Sequence, residues 1–175
     1  EAPNGHLFLQ PRITASALAG IPVPEVDAER CTRCGACSRL CRYHAIASLG
    51  KAALPFPELC HGCGGCALVC PAGAIREVER PIGVVERGIA HGIDFVHGRL
   101  NVGEAMSPPL IRAVLRQADP RVVAIVDAPP GTTCPVLAAV RGADRVLLVT
   151  EPTAFGLHDL TLAVEMVRAL TRLPE

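Results

Sequence analysis

Residues 31–41 read CTRCGACSRLC, and residues 60–70 read CHGCGGCALVC with Pro71 following. Both are C-x2-C-x2-C-x3-C runs, and the second begins 29 positions after the first. The same offset relates Glu29 to Glu58, Gly35 to Gly64 and Ala45-Ile46 to Ala74-Ile75, so the segment is an internal repeat. Eight of the nine cysteines lie in these two runs, and only Cys134 stands apart.

Runs of this spacing hold 4Fe-4S cubanes. Three thiolates two residues apart let a tight loop wrap three corners of one cube. The fourth cysteine, on the short helix that follows, points to the other cube. The expected sets are Cys31, Cys34 and Cys37 with Cys70, and Cys60, Cys63 and Cys66 with Cys41. Gly35, Gly64 and Gly65 let backbone N–H groups approach the sulfurs. The repeat resembles the pseudo-twofold of the two-cluster bacterial ferredoxins, each half a loop, a short helix and a strand. One departure is Arg42, which stands where those proteins carry proline after the fourth cysteine.

Other chemistries fit less well. Structural zinc uses two separated C-x2-C pairs rather than triplets. Disulfides need an oxidising compartment, and no secretory leader is visible, so the expected location is the cytoplasm. His44 and His61 suggest a Rieske-type centre, but eight thiols already suffice for two clusters. Residues 25–80 are too few to rely on an apolar core, so ligation is expected to supply much of their stability.

Composition sets the outer bounds. The chain has 175 residues, 50% of them hydrophobic, with 17 basic and 17 acidic side chains. Zero formal charge argues against a phosphate-tracking nucleic-acid binder, and the apolar content argues against disorder. Uncharged apolar-looking stretches such as Ile13 to Pro24 are too short for a membrane span and contain Pro.

The flanking sequence has a different texture. Arg121–Asp127 (RVVAIVD) and Arg145–Thr150 (RVLLVT) read as strands buried on both faces, hence a parallel sheet. Cys134–Arg141 reads as a crossover helix stopped by Gly142, and Leu157–Leu173 as a second helix ended by Pro174. Ser107-Pro108-Pro109 opens another helix running toward Asp119. Ile82–Glu86 and Ile93–His97 flank Arg87–Gly92 as a hairpin.

Taken together, EAPNGHLFL at 1–9, the two cysteine runs, GRLNVGEAMSPPLIRAV, VDAPPGTTCPV and LLVTEPTAFGLHDLTLAVEMV resemble the MinD-superfamily P-loop ATPases that carry an inserted ferredoxin domain. The resemblance implies an α/β fold: a partial P-loop NTPase, doubly wound with a mostly parallel sheet, and an inserted α+β bacterial-type ferredoxin domain. It assigns 1–24 and 81–175 to the ATPase and 25–80 to the insert. It also places Asp127 in the Mg2+-facing switch II region, with Pro129, Pro130 and Gly131 as the segment that responds to the γ-phosphate. The family's phosphate loop needs a Gly-Lys-Ser/Thr step, yet the only lysine is Lys51, in Gly-Lys-Ala between the cysteine runs. The expectation is therefore a fragment lacking the Walker A loop and inactive as an ATPase, with ATP and Mg2+ belonging to the intact protein.

Three functions compete at this stage. The first is electron transfer through two 4Fe-4S clusters to an unidentified redox partner, coupled in the intact homodimer to ATP. The second is an Mrp-type cluster carrier. It is disfavoured because that branch places a Cys-x-x-Cys pair late in the chain, where only Cys134 follows Cys70 here. The third is a MinD-like regulatory switch that senses redox state.

Overall fold

The computed structural model describes residues 3–170. After a short helix α1 (Gly5–Leu9) comes the long strand β1 (Arg12–Val26). The first cysteine run carries helix α2 (Ala36–Leu40) and leads into a small hairpin of β2 (Ile46–Leu49) and β3 (Ala52–Pro55). A 3-10 turn at Pro57–Leu59 enters the second run, with helix α3 (Gly65–Leu68), which ends in β4 (Ile75–Ala90). Then follow β5 (Ile93–Leu100), α4 (Pro108–Leu115), α5 (Cys134–Val140) and α6 (Ala154–Leu170).

The main sheet has the order β1-β4-β5, antiparallel throughout, and the β2–β3 pair forms a second sheet. β1 carries Pro22 and Pro24, which fits its place as an edge strand, where a missing donor breaks no ladder bond. Pro81 in the middle strand pairs with Gly20 beside a register shift, and β4 pairs with β5 only from Gly83 onward. The β4–β5 turn is tighter than the sequence suggests. The strands continue to Ala90 and Ile93, and His91-Gly92 turn with φ of 51° and 79°. Two positive φ values in a two-residue loop match the twist of a hairpin.

The larger core gathers Ala19, Ile21 and Val23 of β1, Ile82 and Val85 of β4, Leu110 of α4, and Ala45 and Cys60 from the cysteine segment. Ile82 and Leu110 are fully buried. A cross-strand carboxylate, Glu86, takes the His97 imidazole at 2.8 Å and Arg99 Nε at 3.0 Å. The ladder between β1 and β4 continues past positions 24 and 81, with a register shift between Ala19 and Gly20.

Two sequence expectations are corrected. Residues 121–127 and 145–150 form no strands, and no parallel pair exists among the described residues. Val123 and Ile125 are 93% and 94% exposed. A strand exists through its ladder, and neither segment is paired with a neighbouring strand in the described chain. The described residues thus form no doubly wound parallel sheet and fold as mixed α and β around antiparallel pairs. The helices fared better. α4 opens after Ser107 as expected but stops at Leu115, short of Asp119, where the following Pro120 disfavours helical backbone. α5 ends before Gly142, whose φ is 83°. α6 begins three residues early because Thr153 Oγ1 accepts the N–H of Gly156 at 3.0 Å. The expected stop at Pro174 lies outside the described residues.

Candidate iron–sulfur site

The two cysteine loops share one backbone plan. Left-handed backbone recurs at the 29-residue offset, with φ of 59° at Arg33 and 65° at Gly62, 72° at Gly35 and 71° at Gly64, 53° at His44 and 54° at Gly73. Gly35 and Gly64 are also the residues that enter α2 and α3. The sulfur contacts repeat as well. The N–H of Ala45 donates to Cys41 Sγ and that of Ala74 to Cys70 Sγ, each at 3.3 Å. Gly62 N–H donates to Cys60 Sγ at 3.4 Å. Donors aimed at sulfur favour the thiolate, the form that binds iron.

Cys70 lies with the first run. Cys31, Cys34, Cys37 and Cys70 line one cavity together with Ala53 and Ile75. Cys41, the last residue of the first run, does not line that cavity and packs against both core clusters, the one that contains Cys60 and the one that contains Cys37. β1 and β4 make this possible, because pairing Val26 with Ile75 returns the end of the second run to the start of the first.

Local electrostatics differ along each run. The Cys34 thiol is pulled below its ordinary range, chiefly by the N–H of Ala36. Burial pushes Cys37 and Cys66 up. Among the described residues no three His, Cys, Asp or Glu side chains converge as for a single ion. Thiols spread around a cavity suit a cube, in which each corner iron takes one sulfur. All nine cysteines are free thiols. The donor set, eight free thiols in two runs, fits the cluster that the spacing implies.

Comparison with known proteins decides the class of this segment. Residues 24–47 and 55–76 match the model of the 4Fe-4S binding domain. Each cysteine run lies within one of these two matches. Such domains indicate an iron–sulfur electron-transfer function. Two curated relatives extend the likeness. The uncharacterized protein MJ0578 of Methanocaldococcus jannaschii is 34% identical over 77% of this chain and 48% of its own length. The uncharacterized protein MJ0579 of the same organism is 29% identical over 76% of this chain and 49% of its own length. The chain thus spans about half the length of the curated relatives it matches.

The residues expected to meet nucleotide are placed differently. Asp127, Pro130 and Gly131 are exposed and Pro129 is half-buried, in a loop that carries no helix or strand. Cys134 is exposed at the first turn of α5. No helix among the described residues is long and apolar enough to cross a membrane. Sequence reasoning missed the Tyr43–His61 pair, whose rings stack at 3.4 Å between the two ligand loops. The signal was available, since each ring lies within two residues of a cysteine.

Proposed function

We propose that this chain holds two 4Fe-4S clusters, one on Cys31, Cys34, Cys37 and Cys70, the other on Cys60, Cys63, Cys66 and Cys41. They pass single electrons between partner proteins. The observation that carries this reading is the cavity that joins Cys70 to the first run, with sulfur hydrogen bonds repeated at Cys41 and Cys70. A bound cubane supplies reversible one-electron chemistry without making or breaking a bond to the protein. The chain's own part is to hold the thiolates, aim N–H groups at them and keep the two sites side by side. Anaerobic reconstitution with iron and sulfide counting, followed by EPR of the reduced protein, tests the reading. About eight irons per chain and a coupled-cluster signal are expected. Four irons or fewer would sink the two-cluster assignment.

In the longer proteins this unit works beside a MinD-like ATPase formed with residues 1–24 and 81–175. The exposed apolar segments 121–126 and 145–150 support that reading, because apolar runs of this length ask for cover. The test is the midpoint potential of the full-length protein with and without ATP and Mg2+, which nucleotide should shift.

A further inference from the structure

The two loops share a backbone but not a surface. At positions 29 apart, Arg30, Arg33 and Arg39 of the first loop stand against Leu59, Gly62 and Leu68 of the second. The arginines lie at the first site. Arg39 Nη1 donates to the carbonyl of Cys34 at 2.9 Å, and Arg30 Nη2 to that of Ala72, two residues beyond Cys70, at 3.3 Å. Arg33 lines the cavity itself. Ser48 lies beside Gly35, whereas at the same offset the carboxylate of Glu77 lies beside Gly64.

Opposing charges do not erase the difference. Asp27 and Glu29 precede the first loop, and Asp27 Oδ1 is occupied by the N–H groups of Glu29 and Arg30. At the second site Arg80 is paired with Glu104, which leaves Arg42 beside Cys41 against Glu58 and Glu77. The aromatic residues differ too. Tyr43 and His61 stack on each other, while the residues at the same offset are Ala72 and Thr32.

We propose that the site of Cys31, Cys34, Cys37 and Cys70 is the more easily reduced of the two and is the port from which an electron leaves to a partner protein with an acidic face. This rests on the two-cluster reading above. Reduction adds one negative charge and no proton, so guanidinium groups around the first site stabilise its reduced form. A low-potential one-electron donor supplies the electron, and it passes to the one-electron centre of the partner. The same arginines attract a partner of opposite sign and hold it at the first site.

The test is an EPR-monitored redox titration of the reconstituted protein and two variants. Arg30→Leu with Arg33→Gly and Arg39→Leu gives the first loop the residues of the second. This triple variant should lower the upper midpoint by at least a tenfold change in electron partition (~59 mV) and leave the lower one in place. Leu59→Arg with Leu68→Arg, at exposed positions, should raise the lower midpoint alone. Oxidation of the one-electron-reduced protein by anionic Co(edta)− should slow at least tenfold in the triple variant, while oxidation by cationic hexaamminecobalt(III) should not slow. Movement of the lower midpoint in the triple variant, movement of neither, or equal response to the two oxidants overturns the proposal. If the triple variant does not take up full iron, the Leu→Arg pair decides, and an unmoved lower midpoint overturns it. A parent protein that binds four irons or fewer would instead defeat the two-cluster reading.

Discussion

The crossing of ligands can be tested by counting iron in paired cysteine variants. The structure places Cys70 in one cavity with Cys31, Cys34 and Cys37, while Cys41 lies outside that lining and packs against the clusters of both Cys60 and Cys37. A full chain should carry roughly eight irons, four per site. Cys70→Ala alone opens the first site and should leave about four, plus whatever a three-ligand remnant retains. Double variants remove that ambiguity. Cys34→Ala added to Cys70→Ala strikes the same site twice, so the count should stay near roughly four. Cys63→Ala added to Cys70→Ala strikes both sites and should take the count toward roughly zero. Cys41→Ala should mirror this, silent when combined with Cys63→Ala and additive with Cys34→Ala. Iron and acid-labile sulfide per purified chain are the measurements. If ligands were taken run by run, the two double variants of Cys70 would exchange results, and that exchange would refute the crossed geometry.

Other consequences are open to direct measurement. A Cβ at Gly98 would stand 2.9 Å from both Leu110 Cγ and Val114 Cγ2. Gly98→Ala should therefore cost about 1–3 kcal/mol in urea unfolding, and Leu110→Ala about 2–5 kcal/mol. The double variant should cost less than the sum, because removing Leu110 makes room for the new methyl; strict additivity would disprove the contact. The carboxyls of Glu86 and Glu104 are held below their ordinary range, chiefly by hydrogen bonds from His97 and Arg80 respectively. Their contribution is full above the usual carboxylate pKa of about 4.3 and is lost as pH falls below it toward the folded values. Glu104→Gln should flatten that acid limb in pH-resolved urea melts, and an unchanged limb would count against the pair. Gly92→Val forces a β-branched residue to a φ of 79°. It should destabilise by about 1–2 kcal/mol, whereas Gly92→Asn should cost much less.

The cysteine segment was legible because its chemistry is written in spacing. Metal ligation fixes which residue types stand two and three apart, and the glycine at each loop corner follows from the same geometry. Pairing of β1 with β4 was not legible. It joins residues 49 to 77 apart, and β1 carries Pro22, Pro24 and many small residues that mute strand alternation. The segments 121–127 and 145–150 misled for the opposite reason. Their β-branched runs state a preference for burial on both faces, but preference cannot supply a neighbouring strand. The asymmetry between the two sites lay in plain view at the 29-residue offset. Only Arg30 and Arg39 reaching the carbonyls of Ala72 and Cys34 shows that those cations attend the first site.

The shared ladder of β1 and β4 has a mechanical meaning. Fifteen residues of β1 extend roughly 50 Å at about 3.3 Å each, from the mouth of the cysteine segment at Val26 to Arg12. The chain enters and leaves that segment along two strands that are each other's partners, so the segment hangs from a zip. Sliding one strand by a single residue would turn Ala19, Ile21 and Val23 from the core to the outside. The register shifts at Ile13/Ala15 and Ala19/Gly20 interrupt the zip, so the rungs from Gly20 to Val26, nearest the thiols, form an in-register run of their own that ties the mouth of the cysteine segment shut.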